Sequence, residues 1–222
     1  MHCSITSLDG EEAVVYYYLT MNIPPFDIIF HFYPEDTPLR QLLIRHSEQV
    51  RDKALQIIEN PIAARLPIDR QLVVNGSLLH DIGIGACHAP SILCNGSQPY
   101  IAHGIIGAKM LRDFDAALEP IARICERHTG AGLTAQDIRS QGLPLPEQDF
   151  LPETIEEKLV CLADKFFSKS GDMLEKPFPK VRQSLVKFGE DTIRRFDDLC
   201  RLFGLLDDTA CPPVNRPSAP SN

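Results

Sequence analysis

From residue 37 to about residue 203, apolar side chains recur at steps of three and four, the period of helices that bury one face. Thr37-Pro38 supplies an N-cap followed by proline at the first helical position. Leu39, Leu42, Leu43, His46, Val50, Ala54, Ile57 and Ile58 then form one stripe, which Asn60-Pro61 ends. A second helix is predicted over about 69–80. A third starts near His103 with Ile106, Met110 and Leu111 on its inner face, and a fourth over about 117–127 turns Ile121, Ile124 and Cys125 inward. A short helix follows Thr134. Pro152-Glu153-Thr154 opens another, whose acidic first turn suits the helix dipole and whose apolar face carries Leu159, Leu162, Phe166 and Phe167. The last is predicted over about 179–203. No alternating strand pattern interrupts the series, so the expected fold class is all-α, a single bundle of about six to seven helices over 37–206.

The flanks read differently. Residues 1–36 are expected to be an irregular N-terminal extension, with translation starting at Met1 or Met21. The apolar stretch over 13–32 carries Pro24, Pro25 and Asp27, which argues against a spanning helix or a signal peptide. Pro212-Pro213 and the Pro- and Ser-containing end predict a disordered tail over 207–222. Within the bundle, the stretch over 83–102 is rich in Gly, Pro, Ser and Asn and reads as a long loop of the kind that often carries function.

At 222 residues the chain suffices for one hydrophobic core. Its net charge of −8 disfavours a stable nucleic-acid partner or an anionic membrane, but leaves room for a small phosphorylated substrate met by local cations. The seven cysteines are odd in number, and Cys125, Cys161 and Cys200 fall within helical patterns as small apolar residues. A reducing, cytoplasmic setting is expected.

Six potential metal ligands stand apart: His46, His80, Asp81, His103, His128 and Asp164. Each has an ordinary alternative, such as a hydrogen-bonded core histidine at position 46 or a helix-capping one at 80 or 128. Asp164 is the hardest to explain away. It sits between Ala163 and Phe166-Phe167 on a helix that buries its neighbours, and a buried carboxylate without a partner costs several kcal/mol. In His80-Asp81-Ile82-Gly83, the glycine is expected to turn the backbone through positive φ and hold both side chains at one place. Cys87, His88 and Cys94 make only a weak zinc clip, because no CxxC pair completes four ligands.

The order of these residues, with Glu126-Arg127-His128-Thr129-Gly130-Ala131-Gly132 and Ala163-Asp164-Lys165, resembles the HD-domain metal-dependent phosphohydrolases, in the HDIG variant of their signature. The resemblance covers about residues 38–204 and is similar to a branch of small stand-alone members. It implies that His46, His80, Asp81 and Asp164 ligate a first metal. Asp81 would bridge to a second ion held by His103 and His128. One or two divalent transition metal ions are implied (Fe, Mn, Co, Ni or Zn), since mixed imidazole and carboxylate ligands suit these better than Ca. The implied reaction is attack of a metal-activated hydroxide on a phosphate ester or anhydride of a nucleotide or related compound. Asp81 and Lys165 would be catalytic, and Lys165, Arg127, His88 and Tyr100 would face substrate. Here Ile84 and Gly85 follow Gly83, without the lysine many dinuclear relatives carry, which points away from cyclic di-GMP. A nucleotide-binding or regulatory module without turnover is the alternative.

Overall fold

The computed structural model describes residues 23–206. The expected tail over 207–222, the first 22 residues of the expected extension and the choice between Met1 and Met21 lie outside the described residues. Nine α-helices are found among those residues: α1 (Pro25–Phe32), α2 (Pro38–Ile58), α3 (Arg70–Leu79), α4 (His103–Phe114), α5 (Glu119–Arg127), α6 (Ala135–Gln141), α7 (Ile155–Asp164), α8 (Phe178–Leu185) and α9 (Glu190–Leu202). Their starts follow from local chemistry. The Thr37 hydroxyl accepts from Arg40 N and the Asp69 carboxylate from Gln71 N and Leu72 N, each supplying an acceptor for amides the helix leaves unpaired. Reciprocal capping boxes, Thr134 with Asp137 and Thr154 with Glu157, start α6 and α7.

Helix α2 packs on α3 and α7, α3 also on α5 and α7, and α4 runs against α5. Two apolar clusters result. One gathers Val50, Ile57, Val73, Leu159, Phe196 and Phe203, and the other Ile28, Leu43, Leu79, Ile82, Leu111 and Ile121. His46 lies on α2 between Leu43 of one cluster and Val50 of the other.

The fold departs from the sequence expectation in three places. Residues 25–32 are helical rather than irregular. Pro25 takes the first turn, where a missing N–H costs nothing, and Ile28 and Ile29 are fully buried. Two such side chains contribute about 3–6 kcal/mol, a large share of the ~5–15 kcal/mol that keeps a domain folded. The expected last helix is two helices, because Gly189 adopts φ 99° and Glu190 and Asp191 begin a new first turn.

The stretch over 83–102 is not a plain loop, and the fold is mostly helical rather than strictly all-α. That stretch contains three 3-10 turns and a small sheet of β1 (Cys87–Ala89), β2 (Cys94–Asn95) and β3 (Gln98–Pro99) in the order β2-β1-β3. β1 pairs antiparallel with β2 (His88 opposite Asn95) and parallel with β3 (Cys87 opposite Gln98). Strands of two or three residues are too short to show an alternating pattern. The five described cysteines are free and buried, and no described helix is long and apolar enough to cross a membrane.

Candidate metal centre

Helix ends supply most of the candidate ligands. His80 follows the last residue of α3 and Asp81 comes next, while His103 is the first residue of α4. His128 caps the C-terminus of α5, Asp164 ends α7, and His46 projects from the middle of α2. All six are buried, with His46, His80 and Asp81 wholly inaccessible.

Gly83 is essential to this convergence, for a different reason from the one its sequence context suggests. Its φ is −85°, not positive. A Cβ there would stand 2.3 Å from His103 O and 2.4 Å from Gly107 N, so glycine lets α4 approach the His80-Asp81 turn. Gly104 does the same against Cys125 O at 2.4 Å. Tyr33, just past α1, fastens the other side of the turn: its hydroxyl donates to Ile82 O (2.6 Å) and accepts from Gly85 N (2.9 Å).

The outer contacts of the imidazoles fix what their inner nitrogens are. Nδ1 of His80 lies 2.7 Å from Ser77 O, that of His103 2.7 Å from Tyr100 O, and that of His128 2.6 Å from Cys125 O. A carbonyl only accepts, so each Nδ1 carries the proton, and Nε2 of each neutral ring is a bare acceptor turned inward. What they face are also acceptors. Asp81 Oδ1 is 3.2 Å from His103 Nε2 and 3.5 Å from His128 Nε2, and these two nitrogens are 2.9 Å apart. Asp81 Oδ2 is 3.0 Å from His80 Nε2 and 3.2 Å from His46 Nε2; His46, whose Nδ1 has no partner, instead donates from Nε2 to Asp164 Oδ1 at 3.0 Å. Neither Asp81 oxygen, nor His80 Nε2, has a partner in hydrogen-bond geometry.

Lone pairs crowded this closely repel unless a cation lies among them. The donor atoms form two groups that could hold a metal ion, His46-His80-Asp81-Asp164 and Asp81-His103-His128, each within 4.8 Å and sharing Asp81. They coincide with the two sets implied by the sequence resemblance. Cys87, His88 and Cys94 form no such group among the described residues.

Two lysines complete the electrostatics. Lys165 Nζ lies 2.7 Å from Asp164 Oδ2 and donates to His128 O at 3.1 Å. Lys169 Nζ lies 2.7 Å from Asp81 Oδ2. Burial pushes the Asp81 carboxyl up, but the charges of His80 and Lys169 outweigh it and hold the group well below the usual range. Asp164 is depressed likewise, burial being overcome by Lys165 and Lys169. For His80, burial opposes protonation yet Asp81 and Asp164 push it up to about 9, whereas burial takes His128 down to about 3.

From this cluster a polar cleft of about 340 Å³ opens, bordered by Tyr100, Asp164, Lys165, Lys169 and Lys176. The Tyr100 ring stacks on His103 at 4.7 Å. Of the residues expected to face substrate, Tyr100 and Lys165 line this cleft and the other two do not. His88 is exposed on β1. Arg127 is spent on structure, with Nη1 on Leu151 O (2.7 Å) and on Glu153 (2.8 Å), because Glu153 projects from the turn before α7 toward α5. Lys169 and Lys176 were missed by sequence reasoning. They sit in an irregular segment beyond α7, and the only hint was a lysine five positions after Asp164.

The HD domain family model matches residues 43–168. This chain belongs to the HD-domain family. The chain is similar to part of a tRNA (cytidine(56)-2'-O)-methyltransferase of Picrophilus torridus, 36% identical over 171 residues that cover 72% of this chain and 45% of that protein. It is 43% identical to an uncharacterized protein of Methanocaldococcus jannaschii over 99 residues, 44% of this chain and 49% of that one. A tRNA (cytidine(56)-2'-O)-methyltransferase of Thermoplasma volcanium is 33% identical over 126 residues, 57% of this chain and 32% of that protein. The chain thus spans less than half the length of each of these relatives. No solved structure matches it.

Proposed function

We propose that this HD domain is a metal-dependent phosphohydrolase acting on a nucleotide or related small phosphorylated compound. The observation that carries the reading is the face of Asp81 turned to His103 and His128, where acceptor meets acceptor and a cation would satisfy what a hydrogen bond does not. His46, His80, Asp81 and Asp164 would hold one divalent ion, and Asp81, His103 and His128 a second. The donor set suits Fe, Mn, Co, Ni or Zn. Such ions supply a water of lowered pKa and offset charge on a phosphoryl group.

The chain's own residues do the rest. Ser77, Tyr100 and Cys125 carbonyls fix the imidazole tautomers, so that the ligating lone pairs stay aimed inward. Lys165 and Lys169 keep both carboxylates ionised and border the cleft, where their ammonium groups are within reach of an entering phosphate. The cleft reaches Asp164 at the edge of the buried cluster.

The test is metal analysis of purified protein, followed by hydrolysis of p-nitrophenyl phosphate, its bis ester and a nucleotide panel with Mn, Fe, Co or Ni. One to two equivalents of metal and chelator-sensitive turnover are expected. A protein that takes up no transition metal would sink the reading, and metal-dependent nucleotide binding without turnover would leave a sensor module instead. A second reading, an RNA-linked substrate, is favoured by the two relatives named as tRNA methyltransferases. The net charge of −8 weighs against stable RNA binding, and tRNA added to the panel decides between them.

A further inference from the structure

We infer that Lys176 marks a second anion subsite in the cleft, so that the substrate carries a further phosphate besides the one attacked beside Asp81 and Asp164. The inference rests on the phosphohydrolase reading and narrows it.

Three lysines border one cleft, and two are already matched. Lys165 is held by Asp164 and Lys169 by Asp81, each at 2.7 Å. Lys176 has no carboxylate within ion-pair distance among the described residues. Its neighbour Glu175 is drawn away to Lys53, at 2.6 Å. The position of Lys176 is nevertheless fixed: its backbone N donates to Phe166 O at 2.7 Å, tying the segment back beside the end of α7. The side chain is partly buried in a wall that Ser168 and Ser170 also form, their hydroxyls 3.2 Å apart. A cation drawn partly out of water without a counter-charge is disfavoured, and an anionic ligand removes that penalty. Burial pushes the Lys176 ammonium down from its ordinary pKa, and the attraction of Asp164 is opposed by Lys165, Lys169 and Lys180.

Size and polarity agree. About 340 Å³ corresponds to the volume of roughly ten waters, more than a single phosphate needs and enough for a sugar with a second phosphate. Ligand pockets are usually lined mainly by apolar groups. This one presents lysines and serines, on a chain whose overall charge is −8, so charge rather than apolar shape selects the ligand.

Calorimetric titration of the Mn-loaded full chain with adenosine 5′-monophosphate and adenosine 3′,5′-bisphosphate tests this. The bisphosphate should bind about tenfold or more tightly, in keeping with one added charge-assisted contact. Lys176→Gln should collapse that ratio toward one at an unchanged melting temperature, and Lys176→Arg should restore part of it. Equal affinities in the wild type, or a ratio that survives in Lys176→Gln, would overturn the subsite. Wild-type hydrolysis of p-nitrophenyl phosphate is read in parallel. Hydrolysis without a bisphosphate preference removes the subsite alone, and a preference without hydrolysis removes the phosphohydrolase reading alone.

Discussion

Replacing Gly83 by alanine tests whether the turn after Asp81 sets the spacing of the whole centre. The added methyl would meet His103 O at 2.3 Å and Gly107 N at 2.4 Å, against at least 3.4 Å for an ordinary contact. The shortfall is about 1 Å, and both obstructing atoms belong to the α4 backbone, so no side chain can swing aside. Overpacking of this kind costs about 1–3 kcal/mol, and rigid backbone neighbours place this case near the upper end. For a chain of this size each kcal/mol lowers the melting temperature by about 2–4 °C, giving a fall on the order of 5–10 °C. Because α4 retreats with His103 at its first residue, the Asp81-His103-His128 group should also loosen, while the group containing His46 and Asp164 keeps its geometry. Calorimetry of the metal-free protein and metal analysis after dialysis against Mn would show a lower melting temperature and occupancy falling toward one. Gly107→Ala, whose nearest obstruction stands at 3.0 Å, should be milder. If Gly83→Ala melts within about 1 °C of the wild type and binds the same metal, the close approach of α4 does not position the site.

Other consequences follow from the same geometry. His103→Ala and His128→Ala should each lower metal content toward one equivalent, and unchanged stoichiometry in both would refute a second ion. Tyr33→Phe leaves Ile82 O and Gly85 N without their partner, so calorimetry should show a loss of about 1–3 kcal/mol; wild-type stability would mean the hydroxyl does not fasten the turn. The metal-free protein should lose stability as pH rises from 6.5 to about 9. His80 is raised above its ordinary value, so its contribution is complete below 6.5 and vanishes as the proton leaves through about 9, a change on the order of 3 kcal/mol. His128, depressed to about 3, titrates below that window. Metal affinity should rise over the same interval because ligation needs the unprotonated Nε2. A melting temperature that stays flat between pH 6.5 and 9 without metal would contradict the coupling of His80 to Asp81 and Asp164.

What the sequence conveyed depended on how far a residue's role is set by its own helix. His46, His80, Asp81, His103, His128 and Asp164 were legible because each lies on a helix, or at its end, with a stripe and cap of several residues. The helix at 25–32 was hidden within an extension expected to be irregular, although proline in a first turn marks a helix start. Gly83 was picked out correctly but for the wrong cause, since the demand comes from the backbone of a helix twenty residues away. Lys169 and Lys176 left almost no trace. The segment that carries them bends at Gly171 (φ 76°) and Met173 (φ 56°), and no periodic rule foretells where such a path aims a side chain.

Those lysines also clarify which part of the centre most needs an ion. Lys165 and Lys169 offset the two buried carboxylates in charge, so Asp81 and Asp164 remain ionised even without metal. The compensation is lopsided, however. Lys169 reaches Oδ2 of Asp81, and a proton on His80 Nε2 lies on that same side, 3.0 Å away. Oδ1 faces His103 and His128, whose Nδ1 protons are committed to backbone carbonyls and whose Nε2 atoms stand 2.9 Å apart. No lysine reaches that side among the described residues. A proton can therefore stand in for a cation in the group built on His46, His80 and Asp164, whereas the group built on His103 and His128 keeps acceptor against acceptor. That asymmetry is the physical ground for proposing a second ion rather than one.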